Sequence, residues 1–81
     1  MPTYETIKGI KIVCYSPDHL PPHIHAIYNE HVAVIEIETG NIYAGFLPTK
    51  QLKLALNYVE LNKGDLLETF YSLNERLRKD G

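Results

Sequence analysis

The segment Val32-Ala33-Val34-Ile35-Glu36-Ile37-Glu38 constrains this chain more than any other. It is rich in β-branched residues and ends in the alternation Ile35-Glu36-Ile37-Glu38, which fits a half-buried β-strand. Thr39-Gly40-Asn41 closes it with hairpin chemistry, Gly40 supplying positive φ, and Ile42 to Leu47 reads as the returning strand. Upstream, Ile10 to Tyr15 and His23 to Tyr28 read as two further strands. Ser16-Pro17-Asp18 and Pro21-Pro22 lie between them, and prolines that cannot donate ladder hydrogen bonds exclude a regular connection there. Asn29-Glu30 is the tight turn that joins the second strand to the third.

From Pro48 the period changes to that of a helix. Leu52, Ala55, Leu56 and Val59 form one apolar stripe, and Leu66, Phe70, Leu73 and Leu77 form another. Asn62-Lys63-Gly64 separates them, with Gly64 expected as a C-terminal cap, Asp65 as the next N-cap and Glu68 in capping-box position. Arg76, Arg78 and Lys79 would sit near the end of the second helix, where its dipole favours cations. The expectation is an α+β fold: a four-stranded antiparallel β-meander over about 10–47, with helices at about 48–62 and 65–79 packed on one face. All 81 residues form one domain, because the chain is too short for two cores.

Alternation sorts the strands into two faces. Ile10, Ile12, Cys14, Ile24, Ala26, Ala33, Ile35, Ile37, Ile42, Ala44 and Phe46 form an apolar face for the helices to cover. The opposite face is mixed, with Val13, Tyr15, His23, His25, Ile27, Val32, Val34, Glu36, Glu38, Tyr43 and Leu47. A two-residue turn at Asn29-Glu30 sets His23 across from Glu36, and a four-residue turn sets His25 there. A three-residue turn would bury Glu36 in the core and is rejected. The exposed aliphatic residues of the mixed face predict an interface, a homodimer or another protein partner.

Asp18-His19-Leu20-Pro21-Pro22-His23-Ile24-His25 holds three of the four histidines within seven residues. His-x-His on a strand can ligate a metal, so His19, His23 and His25 are candidate ligands for zinc or nickel, with Glu36 orienting one ring. The same three are candidate acid–base residues for metal-independent phosphodiester cleavage, because imidazoles titrate near neutral pH. Asp18 and Glu36 would support them, and Tyr15 or Tyr43 would donate to developing negative charge. Set against these is the plainer role of half-buried, hydrogen-bonded histidines that shape a turn or touch a partner. His31 takes no role, and Cys14 reads as a small buried hydrophobe.

A net charge of −2 argues against affinity built on phosphate contacts, so nucleic acid is an unsupported partner. A single cysteine precludes an internal disulfide and predicts a reducing cytoplasm. No apolar run approaches the roughly 20 residues of a membrane span. Met1-Pro2-Thr3-Tyr4-Glu5 lacks the basic start and apolar core of a signal peptide.

The motif Asp18-His19-x-Pro21-Pro22-His23-x-His25-Ala26-x-Tyr28, the later Gly45-x-Leu47-Pro48 and the leucine-rich helix resemble the bacterial domain-of-unknown-function family numbered 4160, from about Ile10 to Leu67. Many members of that family carry a tryptophan in each helix; here Tyr58 and Phe70 stand instead. The resemblance implies a small bacterial protein often encoded beside another, from unknown-function family 2442, in an arrangement similar to a toxin–antitoxin pair. The sequence thus predicts an interaction module that works in a complex. A small histidine-dependent nuclease and a metal-binding regulator are the alternatives.

Overall fold

A computed structural model describes residues 3–16 and 19–77. Strands β1 (Thr3–Ile7), β2 (Ile10–Cys14), β3 (His23–Tyr28), β4 (His31–Glu36) and β5 (Ile42–Gly45) form one antiparallel sheet in the order β1-β2-β3-β4-β5. Helices α1 (Thr49–Leu61) and α2 (Lys63–Leu73) follow, and then a 3-10 turn, Glu75–Leu77. The α+β meander with two C-terminal helices is as the sequence indicates, but there are five strands and not four. The extra strand, β1, pairs with β2 through a two-residue turn in which Lys8 and Gly9 both have positive φ, 47° and 82°. Two positive values at the central residues are what a type I′ hairpin requires. Lysine seldom occupies that first position, which hid the hairpin.

The turn at Asn29-Glu30 has two residues, with Asn29 at φ 54°, and sets His23 opposite Glu36 and His25 opposite Val34. That register keeps Ile24, Ala26, Ala33 and Ile35 on one face, where all four are buried together with Ile10, Ile12, Cys14 and Ile37. Ala55 and Val59 of α1 and Leu66 and Phe70 of α2 close the core from the other side, with Leu52, Leu56, Leu73 and Leu77 partly buried around them.

The alternation fails at β5. Ile35 pairs with Ile42, but Val34 pairs with Ala44, so Tyr43 is an extra residue in a β-bulge. A bulge inverts the side-chain parity of everything after it. Phe46 and Ala44, expected in the core, are exposed, and Leu47, expected outside, is buried. Ile42 keeps its parity but lies on an edge strand that no helix covers, and it too is exposed. Gly45 has φ +71°, and a Cβ there would strike the Val32 carbonyl oxygen, so the bulged strand can approach β4 only with glycine at that point. On the mixed face, Val13 is buried as well, opposite His25.

The helix joint also differs. Asn62 alone separates the helices: its backbone N–H and its Nδ2 both donate to the Tyr58 carbonyl, at 3.0 and 2.9 Å, and its own carbonyl accepts from Leu66 N–H. With Asn62 in that place, Gly64 is free to be helical and Asp65 lies in the first turn of α2, where a carboxylate favours the dipole; neither caps. Helix α2 stops at Leu73, six residues short of the expected end at 79, because Asn74 turns inward. Arg76 therefore lies in the 3-10 turn, and Arg78 and Lys79 fall outside the described residues. No described helix is long and apolar enough to cross a membrane.

Candidate functional site

The histidine segment lies where β2 ends and β3 begins. The prolines carry the chain into β3, and the peptide bond between Leu20 and Pro21 is cis. His23 is the first residue of β3 and is 3 % exposed. Its Nδ1 lies 2.8 Å from the Pro21 carbonyl oxygen. A carbonyl only accepts, so Nδ1 carries the proton in this bond. The His23 ring also packs against Phe70 of α2, with centroids 5.7 Å apart.

The rings form a row. Tyr15 meets His25 edge-on at 4.7 Å and 88°, His25 lies 5.5 Å from His23, and His23 lies 5.1 Å from His19. His25 is half-buried and His19 is exposed, its Nδ1 3.2 Å from the Leu20 carbonyl oxygen. All three candidate histidines and Tyr15 are thus neighbours, as the motif spacing suggests. Asp18, the other supporting residue named from the motif, lies outside the described residues. Among the described residues, no three histidine, cysteine, aspartate or glutamate side chains are grouped so as to hold a metal ion.

Glu36 stands across the ladder from His23, and its Oε1 accepts a 3.0 Å hydrogen bond from the Tyr43 hydroxyl. The Tyr43 pKa is raised above its ordinary value, first by desolvation, then by donation to Glu36 and by that carboxylate's charge. His31, given no role, packs its ring on Phe46 at 5.0 Å.

Sequence reasoning missed the polar joint beside this row. Asn74 is 1 % exposed, and its Nδ2 donates to both the Tyr15 and the Phe70 carbonyls at 3.0 Å. Arg76 donates to its Oδ1 at 3.4 Å, and Ser16 Oγ donates to the Leu73 carbonyl at 2.8 Å. These bonds fasten the end of α2 to the end of β2. A buried asparagine just past an apolar helical stripe is a helix-end signal, and it could have been found by asking where the last carbonyls of α2 are satisfied.

Four of the exposed large apolar side chains lie around β5, while Leu61 at the end of α1, the most exposed, and Leu20 and Tyr15 lie apart from it. Phe46 is 60 % exposed, Tyr43 49 %, and Ile42 and Val32 41 % each. The mixed face of the sheet is therefore closed at Val13 and His23 and open toward Val32 and Tyr43.

No curated protein and no solved structure matches the chain. The family model described as "Domain of unknown function (DUF4160)" matches residues 9–70, from the turn after β1 to Phe70, and so includes the whole histidine row apart from its link to Asn74. The chain therefore belongs to the DUF4160 family.

Proposed function

We propose that this chain is an interaction module, a small protein that acts in a complex and docks through the edge strand β5 and the side chains around it. The observation that carries this reading is the concentration of Val32, Ile42, Tyr43 and Phe46 at the surface beside an unpaired strand edge. Natural edge strands are blunted by charge, proline, short length, bulges or covering loops, and β5 has two of these, its four residues and the bulge at Tyr43. Here residues 39–49 contain no charged residue at all, and proline enters only at Pro48, after the strand. The bulge at Tyr43 distorts the side of β5 that faces β4 and leaves the outer side as the place for added backbone pairing.

The occupant that fits is a second copy of the chain. A net charge of −2 repels a second copy weakly, and the neutral strip lets the two edges meet without opposed carboxylates. A different small protein, as in the toxin–antitoxin-like pairing that the resemblance implies, is the rival occupant. Mass spectrometry of complexes recovered from native cells tests the module itself. Wild-type bait is expected to carry its partner, whether a second copy or another protein, and Phe46→Asp bait is expected to lose it. Equal recovery with both baits, or bare monomer with both, overturns the reading.

The alternative of acid–base catalysis has one observation in its favour, the row that joins exposed His19 to half-buried His25. His23, between them, is buried and bonded to Pro21, so it suits a structural role better than a catalytic one. Cleavage of single-stranded RNA or DNA that disappears in both His19→Ala and His25→Ala would establish the alternative.

A further inference from the structure

A cavity of about 270 Å³ opens between the β1–β2 side of the sheet and the α1–α2 joint. At ~30 Å³ for each water it has the room of roughly nine waters, near the lower end of small-ligand sites. Its floor is apolar: Ile12, Cys14 and Leu66 line it, and each is buried. Glu5 and Asp65 line it too, and among the described residues no lysine, arginine or histidine does. Tyr58, half-buried, lines the same space. Buried apolar side chains, an aromatic ring, two carboxylates and the polar Asn62 and Thr69 make up a lining that suits an ammonium group on an apolar body.

We propose that this cavity is a binding site for a small primary amine whose aryl or branched alkyl body rests on Ile12, Cys14 and Leu66 and whose ammonium faces Glu5 and Asp65. The fields of the two carboxylates do meet there. The Tyr58 hydroxyl is held above its ordinary pKa by burial first, then by Glu5, Asp65 and Cys14. A cation in the cavity relieves that accumulation of negative charge. The site is independent of the docking reading, since β1 and β5 are opposite edges of the sheet.

The experiment is an NMR titration of the full chain with phenethylamine at neutral pH, with 2-phenylethanol and 3-phenylpropanoate as neutral and anionic counterparts of similar shape. Saturable amide shifts are expected at Cys14, Leu66 and Thr69, several-fold tighter for the amine than for the alcohol. Glu5 and Asp65 are both exposed, so Glu5→Gln and Asp65→Asn leave the fold intact, with an unchanged melting curve for the first and a small drop for the second from the lost dipole contact. Each variant should weaken the amine about three- to fivefold and leave the alcohol alone, the scale of an exposed charge pair. No saturable shift with the amine, equal affinity for amine and alcohol, or wild-type affinity for the amine in the doubly substituted chain would each overturn the proposal.

Discussion

The start of β3 and the strand β5 are both unusual stretches of sequence, and the molecule treats them in opposite ways. At the start of β3 a cluster of polar rings is drawn inward: His23 is buried, bonded to Pro21 and packed on Phe70, and Asn74 ties the end of α2 to the same corner. At β5 one extra residue turns Phe46 outward, beside Tyr43 and Ile42, which are exposed without it. A motif rich in chemically versatile groups can serve packing, and a plain apolar strand can serve recognition. Burial, more than residue type, decides which stretch is available to a partner.

The largest effect expected from disturbing this contrast comes from Gly45→Ala. A methyl at φ +71°, pressed on the Val32 carbonyl, should cost about 2 kcal/mol or more and release β5. Hydrogen exchange should then show fast amides at 42–46 while Ile24, Ala26 and Ile35 stay protected. Uniform loss of protection would mean that β5 is part of the core and not an appended edge.

Next come the residues at the other corner. Asn74→Ala leaves the carbonyls of Tyr15 and Phe70 short of a donor, and His23→Ala removes the bond to Pro21 and the ring on Phe70. Each should lower the unfolding free energy by about 1–3 kcal/mol in urea titration. Exposed His19, changed to alanine, should stay within about 0.5 kcal/mol of wild type. A destabilising His19→Ala beside a neutral His23→Ala would reverse the assignment of roles along the row.

Metal gives a third, smaller contrast. His23 is buried with its Nδ1 committed to the Pro21 carbonyl, so added zinc or nickel, and equally EDTA, should shift the melting temperature little. A ligand that binds only the folded state must raise it, so a clear upward shift with zinc would restore the metal-binding regulator.

The smallest effect concerns pH. Burial and the negative neighbours Glu5 and Asp65 favour the neutral Tyr58 phenol, so the folded chain keeps that proton to a higher pH than the unfolded chain does. Where the folded state binds more protons, stability falls as pH rises. The contribution is whole below the ordinary tyrosine value of 10.0 and is lost as pH climbs through the raised folded value. Tyr58→Phe should flatten that alkaline decline in pH-dependent melting. An equal decline in both chains would place its origin in other groups.

Much of this was legible in the sequence. Strands β2, β3 and β4 and the faces of Ile24, Ala26, Ala33 and Ile35 follow from alternation, because a one-residue slip there would bury Glu36. The bulge was not legible: Ile42-Tyr43-Ala44-Gly45-Phe46 alternates smoothly, and a count of period two cannot see a residue that pairs with nothing. Only Gly45 hinted at it. Strand β1 was hidden by a hairpin that sets lysine at positive φ, and the helix boundary by Asn62 taking the place expected of Gly64. At the candidate site the spacing of His19, His23 and His25 foretold that they would be neighbours. It could not foretell that Phe70, about fifty residues on, would pack on the middle one, or that Asn74 would tie α2 to the same corner.

The claim that β5 docks a second copy of the chain is tested most directly by sedimentation velocity of wild type and Phe46→Asp at high protein concentration. Phe46 is exposed in the single chain, so at a dilution where both chains are monomeric its substitution should change the unfolding free energy by no more than about 0.5 kcal/mol. The account predicts a wild-type dimer and a Phe46→Asp monomer. A wild type that sediments as a monomer throughout, or a Phe46→Asp chain that stays dimeric, would contradict it.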